Sequence, residues 1–349
     1  MLQFFLITLG LLPLVIFGLI DVGGLSGLQD SIDRAGYFHA WANTGSTDNP
    51  MAVRWFTIVF GLVQSFGYWC TDFLVVQRAL AAEDEAASQR TPLIAAFPKL
   101  MYGVLAIFPG LIILTILPNL GQTESIQNSY NMAVPYAMAY YFPTGMLGVG
   151  LTALLAAFMS GMAGNVTAFN TVWTYDIYKA YINRDASDRH YLNVGRVATV
   201  AGVALSIVTA YIVLGFASII DYVQLLHGIF LAPLFGTFLL GMFWRRTTGW
   251  GGFAGLLTGT VLGLVLYLIS LDSSVGASMR RAWWAWCACV AVTILVSLVT
   301  QPKPDWELRG LVWGLTGRKE GVEPVWYKKP WVLAVTVLLL TLALNIYFF

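Results

Sequence analysis

Nine runs of mostly apolar residues divide this chain, at 2–20, 53–77, 93–117, 145–173, 194–216, 218–243, 251–271, 281–300 and 331–349. A helix needs about 20 such residues to cross the hydrocarbon of a bilayer. Backbone polar groups find no water there, so a spanning run must satisfy them internally, as a helix does. The expected fold class is therefore all-α, a polytopic integral membrane protein with about nine transmembrane helices. Composition agrees: 58% of the 349 residues are hydrophobic and 11% charged, against roughly 45–50% and 25% in soluble domains. Lys and Arg (19) nearly cancel Asp and Glu (18), so no basic field holds a polyanion. Nucleic acid is excluded as a partner, and the lipid bilayer is the expected one.

Loop charge sets the orientation. With the N-terminus cytoplasmic, 15 of the 19 Lys and Arg residues fall inside; Arg34, Arg54, Arg280 and Arg281 fall outside. That is a positive-inside bias. Arg280 and Arg281 abut Trp283, Trp284 and Trp286, an expected outer interfacial belt. Residues 2–20 lack a basic leader and a cleavage site, so they read as a helix that stays. The segment 21–52 reads as a polar outer loop. In the cytoplasmic loop 301–330, Leu308, Leu311, Val312 and Leu315 form a helical stripe that suggests a short amphipathic surface helix. The rest of 1–349 reads as a single membrane domain.

Gly251, Gly255, Gly259 and Gly263 recur every four residues, which lets two membrane helices approach closely. Cys70, Cys287 and Cys289 read as small buried hydrophobes. Metal-spaced His/Cys clusters, nucleophile motifs and a phosphate loop are absent. The chain is thus expected not to be an enzyme and to carry no organic cofactor. His39 and His190 are expected in loops; His227 lies in a membrane run.

Polar residues inside apolar runs are costly and informative. Ser65, Tyr68 and Asp72 fall at i, i+3 and i+7 on one helical face, with Gln64 beside it. Asp72 either faces a polar cavity or neutralises Arg78. Lys99, after Pro98, either snorkels to the cytoplasmic interface or reaches a ligand. Gln224 lies in a polar cluster with Asp221, Tyr222 and His227; its amide suits a hydroxyl-rich solute or an interhelical bond. Residues 155–175 mix small and polar side chains, fit either for close packing or for offering oxygens to an ion.

Three stretches resemble the sodium/solute symporters, the family of the sodium–glucose cotransporters. They are Tyr68-Trp69-Cys70-Thr71-Asp72 running into Val76-Gln77-Arg78-Ala79-Leu80-Ala81-Ala82, then Thr174-Tyr175-Asp176-Ile177-Tyr178, and then Phe238 to Thr248 (FLLGMFWRRTT). The resemblance implies part of a LeuT-type fold of two inverted five-helix repeats. The chain then corresponds to the family's C-terminal part, with about five helices expected ahead of it. It implies cation-coupled symport, by sodium, of a small polar solute, a sugar among the candidates, in the plasma (inner) membrane. Carried over by position, Tyr68 matches the aromatic inner gate and Ser65 a substrate-binding position. Lys99 and Gln224 match sugar-touching residues. The Ala157 carbonyl and Ser160 hydroxyl match sodium ligands, while Gly161 stands where the family has a second hydroxyl. Other readings of the chain are an inactive or structural truncated remnant and a transporter-like sensor module.

Overall fold

The computed structural model describes residues 2–33, 56–120, 130–216, 218–272, 275–315 and 326–347. All regular structure among them is helical. Eight helices are long and apolar enough to cross a membrane: Leu2–Asp21, Ala86–Ile116, Thr144–Ile182, Asp188–Val213, Ile219–Phe243, Gly249–Ser270, Gly276–Val299 and Pro330–Tyr347. The chain is an integral membrane protein. The remaining expected span, 53–77, is helical from Phe56 but is broken at Asp72. Its pieces are each shorter than a span. His39, Arg34 and Arg54 lie outside the described residues.

In chain order the helices are α1 (Leu2–Asp21), α2 (Gly24–Asp33), a wide-turned π-type segment (Phe56–Ser65) leading into α3 (Phe66–Thr71), α4 (Phe73–Leu80) and α5 (Glu85–Ile116). Next come α6 (Ala133–Tyr141), α7 (Thr144–Thr171) with its π-type extension Val172–Ile182, and α8 (Asp188–Val213). The series ends with α9 (Ile219–Leu226), a π-type link (His227–Leu231), α10 (Ala232–Phe243), α11 (Gly249–Ser270), α12 (Val275–Val299), α13 (Asp305–Leu308) and α14 (Pro330–Tyr347). The chain forms two compact units, Met1–Phe38 with Ile94–Ser218, and His39–Leu93 with Ile219–Phe349. The division falls inside α5.

In the first unit α1 lies along α7. Small residues permit this: Gly10 lies against Ala153 and the Gly150 backbone. Leu14, Ile113, Ala137, Met138 and Phe142 form the core there. The expected outer loop 21–52 begins instead with α2. It is reached through Gly23 (φ 86°) and Gly24 (φ 80°), left-handed positions that suit glycine. The sequence reading also missed α6. Its last residue, Tyr141, donates a 2.9 Å hydrogen bond to Asp21 Oδ2. Burial, with that bond and the nearby carboxylate, pushes the Tyr141 phenol pKa well up. His190 is not in a loop but in the first turn of α8, bonded to the Tyr178 hydroxyl at 2.9 Å.

In the second unit α11 and α12 form a tight hairpin. All four glycines of the repeat face inward: a Cβ at Gly259 would lie 2.7 Å from the Ala285 carbonyl oxygen. This is the close approach the spacing anticipates. Arg281, beside the expected belt, points inward. It is buried, donates to Ser270 Oγ (3.2 Å) and Ser278 Oγ (2.9 Å), and lies over the Tyr267 ring. Of the expected tryptophan belt, Trp284 is exposed, while Trp283 and Trp286 stack at 5.4 Å and pack inward. Cys289 is buried as expected; Cys70 is exposed.

The segment after α12 carries one helical turn, α13, followed by turns to residue 315, so the 308–315 stripe does not lie on a continuous helix. Leu308 and Val312 are buried and Leu311 is exposed. The Trp313 N–H donates to the Met242 carbonyl at 2.7 Å, covering an unpaired carbonyl at the end of α10.

Candidate functional site

The second unit holds Ser65, Tyr68, Asp72 and Gln224. The first three lie on the interrupted helix. That helix is wide-turned to Ser65, α-helical from Phe66 to Thr71, and stops at Asp72. Asp72 leaves helical geometry (φ −73°, ψ 115°), and its Oδ1 accepts from the Leu74 N–H at 2.9 Å. Its carboxylate therefore caps α4, which has Arg78 in its last turn. An aspartate at an N-cap satisfies one of the free N–H groups there. The continuous i, i+3, i+7 face thus ends one residue early: Asp72 sits at the corner.

The helix is seated by its small residue. Gly67 is buried against Phe235 and Leu231, and Phe66 stacks on Phe235. Val63 lies in a core with Ala232, Phe235, Met279 and Ala282. Tyr68 is half-buried next to this seat. Against α3 packs the π-type link that begins at His227; His227 is within electrostatic reach of Asp72. Gln224, one turn before that link on α9, is 7% exposed. Two helices thus lose regular α geometry within one unit.

Gln64 is more buried than any of the expected site residues, at 3% exposed, and among the described residues neither its Oε1 nor its Nε2 has a hydrogen-bond partner. Sequence reasoning placed it beside the face without a role. The available signal was its spacing, since 64, 68 and 72 follow an i, i+4, i+8 stripe.

Lys99, Ala157 and Ser160 lie in the first unit. Lys99 is exposed on α5, and Ala157 and Ser160 are exposed on α7. Further along α7 the polar side chains turn back on their own helix. Asn165 donates to the Gly161 carbonyl (3.0 Å), Thr167 to Ala163 (2.7 Å), and Thr171 to Thr167 (2.9 Å). Thr174, almost fully buried, donates to Asn170 Oδ1 at 3.1 Å. Gly195 of α8 lies close to the same Asn170 side chain. For Asn165, Thr167 and Thr171, donation to the helix's own backbone is the arrangement present. Among the described residues no group of three or more His, Cys, Asp and Glu could hold a metal ion.

The model of the sodium:solute symporter family matches residues 1–259. The chain is 29% identical over 297 residues to the sodium/myo-inositol cotransporter 2 of Mus musculus, covering 77% of this chain and 43% of that protein. It is 27% identical over 293 residues to the sodium/glucose cotransporter of Vibrio parahaemolyticus, covering 81% and 54%. Among solved structures, a Na+-coupled sialic acid symporter in a substrate-bound outward-open state superposes with a TM-score of 0.65 at 19% identity. That match covers 86% of this chain and 62% of the other. The fold is thus all-α and, in part, LeuT-type. The chain spans about half the length of the curated relatives it matches.

Proposed function

The chain belongs to the sodium:solute symporter family, and from that membership we propose that it serves sodium-coupled symport of a small polar solute by alternating access. The solute class is a neutral sugar or polyol, the class named for the relatives in mouse and Vibrio. The observation that carries the reading is the interrupted helix at Asp72. Discontinuous helices present backbone and side-chain polar groups at depth, and transporters of this kind build solute and ion sites from them. In this reading Tyr68 closes the inner side of the solute site and Ser65 and Gln224 supply hydrogen bonds; Lys99, in the first unit, also binds solute. The Ala157 carbonyl and the Ser160 hydroxyl offer sodium two oxygens on one exposed helical face. Oxygen is the donor type a hard cation takes, so these residues fit in kind and supply part of a coordination shell.

In this reading the membrane is the plasma (inner) membrane, and the N-terminus is cytoplasmic, the orientation that the 15-to-4 distribution of Lys and Arg favours. The test is uptake of labelled myo-inositol and D-glucose into vesicles bearing the protein, with an inward sodium gradient or with choline in its place. Sodium-driven accumulation is the expected result. Uptake that is equal in choline overturns the coupling. No uptake in either cation leaves the chain as an inactive remnant.

A further inference from the structure

Resting on the solute-symport reading, we propose that Gln64 is a solute-binding residue whose side-chain amide exchanges hydrogen bonds with a hydroxyl of the bound sugar or polyol. Three observations carry this. Gln64 is 3% exposed, and both polar atoms of its side chain are unpartnered. A buried amide left unpaired costs more than an ordinary hydrogen bond gains, so native structures supply such groups with partners. Its helix is the one that is interrupted at Asp72, eight residues further along the chain. The segment carrying it is packed against α10 and α12. On α12 the Trp286 Nε1–H is likewise buried and unpartnered.

The chemistry of the orphaned atoms selects the occupant. A cation takes Oε1 and leaves Nε2 unsatisfied; an anion does the reverse. A hydroxyl both donates and accepts, and satisfies both ends of the amide. Water has the same chemistry, so the experiment must separate a solute hydroxyl from a resident water.

The full chain is purified in detergent, and binding of myo-inositol, D-glucose and their monodeoxy analogues is measured for the parent and for Gln64→Leu. Leucine keeps the approximate size of the side chain and removes both hydrogen-bonding atoms. The expected result is an increase of about tenfold or more in Kd for one parent solute, while one monodeoxy analogue of it binds both proteins equally. That pairing identifies the hydroxyl that meets Gln64. Unchanged Kd values for every solute, with Gln64→Leu melting at or above the parent temperature, mean that the amide holds water only, and the proposal fails. Should Gln64→Leu not fold, Gln64→Met must give the same pattern of Kd values. Binding that follows the pattern but ignores sodium keeps Gln64 and defeats the coupling. Sodium-driven uptake with an unchanged Kd in Gln64→Leu does the opposite. If neither parent solute binds, the assignment of Gln64 is overturned.

Discussion

The α11–α12 hairpin and the interrupted helix 56–80 belong to the same unit and are built on opposite terms. In the hairpin, four glycines bring two backbones together, and Thr293 and Ser297 are fully buried at the seam. Most of the polar groups at its ends are paired, while the Arg281 Nε and Trp286 Nε1 hydrogens of α12 are buried without a partner among the described residues. The Thr248 hydroxyl accepts from the Gly251 N–H and bonds Thr300, the Thr248 N–H donates to Ser297, and Arg281 holds Ser270 and Ser278. The interrupted helix has wide turns, a corner at Asp72 and an unpaired buried amide at Gln64. Backbone contact that is close and satisfied makes a stiff element. Broken geometry with polar groups unsatisfied makes an element that a ligand completes, and such elements come from the less stable end of a fold.

The sharpest way to break this comparison is to overfill the hairpin. At Gly259 a side chain meets the Ala285 carbonyl at 2.7 Å, Pro233 Cβ at 2.8 Å and Cys289 Cβ at 2.9 Å; the carbonyl, being backbone, cannot swing away. Gly259→Leu is expected to cost about 3 kcal/mol, read as a large drop in melting temperature in detergent. Gly241→Ala is the control. Nothing lies within 4 Å of its added Cβ, and removing a helix-interior glycine there should stabilise by about 0.5 to 1 kcal/mol. A Gly259→Leu protein that melts like the parent would show that the hairpin is not the stiff element.

This stiff element was legible in the sequence because a four-residue spacing of glycines has one geometric meaning on a helix. Eight of the nine apolar runs were legible as spans, in order, for the same kind of reason. The corner at Asp72 was not, because Val63 to Leu80 reads as an uninterrupted helical pattern and the break depends on where a carboxylate finds free N–H groups. Helices α2 and α6 were missed because they lie outside the long apolar runs on which the reading relied. The burial of Arg281 was not legible because charge counting assigns a side of the membrane and cannot see that Ser270 and Ser278 lie within reach of the guanidinium. At the site, Ser65, Tyr68, Asp72 and Gln224 do fall in one unit. The decisive property of Gln64, its burial without partners, exists only in three dimensions.

Two N-caps allow a finer comparison. Thr248 caps α11 and also bonds Thr300 at 2.6 Å. Asp72 caps α4 by accepting from the Leu74 N–H at 2.9 Å. Thr248→Ala should cost about 2 kcal/mol and Asp72→Ala about 1 kcal/mol of stability. Asp72→Asn retains a capping oxygen and should lie within a few tenths of a kcal/mol of the parent, on the order expected among good caps. Thermal melting of the three variants orders them. If Asp72→Asn is as damaging as Asp72→Ala, the charge of Asp72 rather than its capping oxygen holds the corner, and the two regions differ less than the geometry indicates.

The same contrast between paired and unpaired polar groups reaches the first unit, where Tyr141 at the end of α6 is paired with Asp21 at the end of α1. Removing a paired group should cost stability, unlike removing the orphaned amide of Gln64. Tyr141→Phe is expected to lose about 1 kcal/mol. It should also change the pH dependence. The folded phenol is held protonated by burial and by its bond to Asp21, so its pKa is raised. An unfolded tyrosine titrates near about pH 10. Below that value both states carry the proton, and the contribution of the phenol is fully present. Above it the unfolded state gives up its proton while the folded state keeps it, so this contribution falls as pH rises toward the raised folded value. Melting curves of parent and Tyr141→Phe should therefore differ by a constant amount up to about pH 9 and converge above about pH 10. A difference that stays constant through that range would mean that Tyr141 ionises as it does in water, and that its bond to Asp21 does not hold the proton.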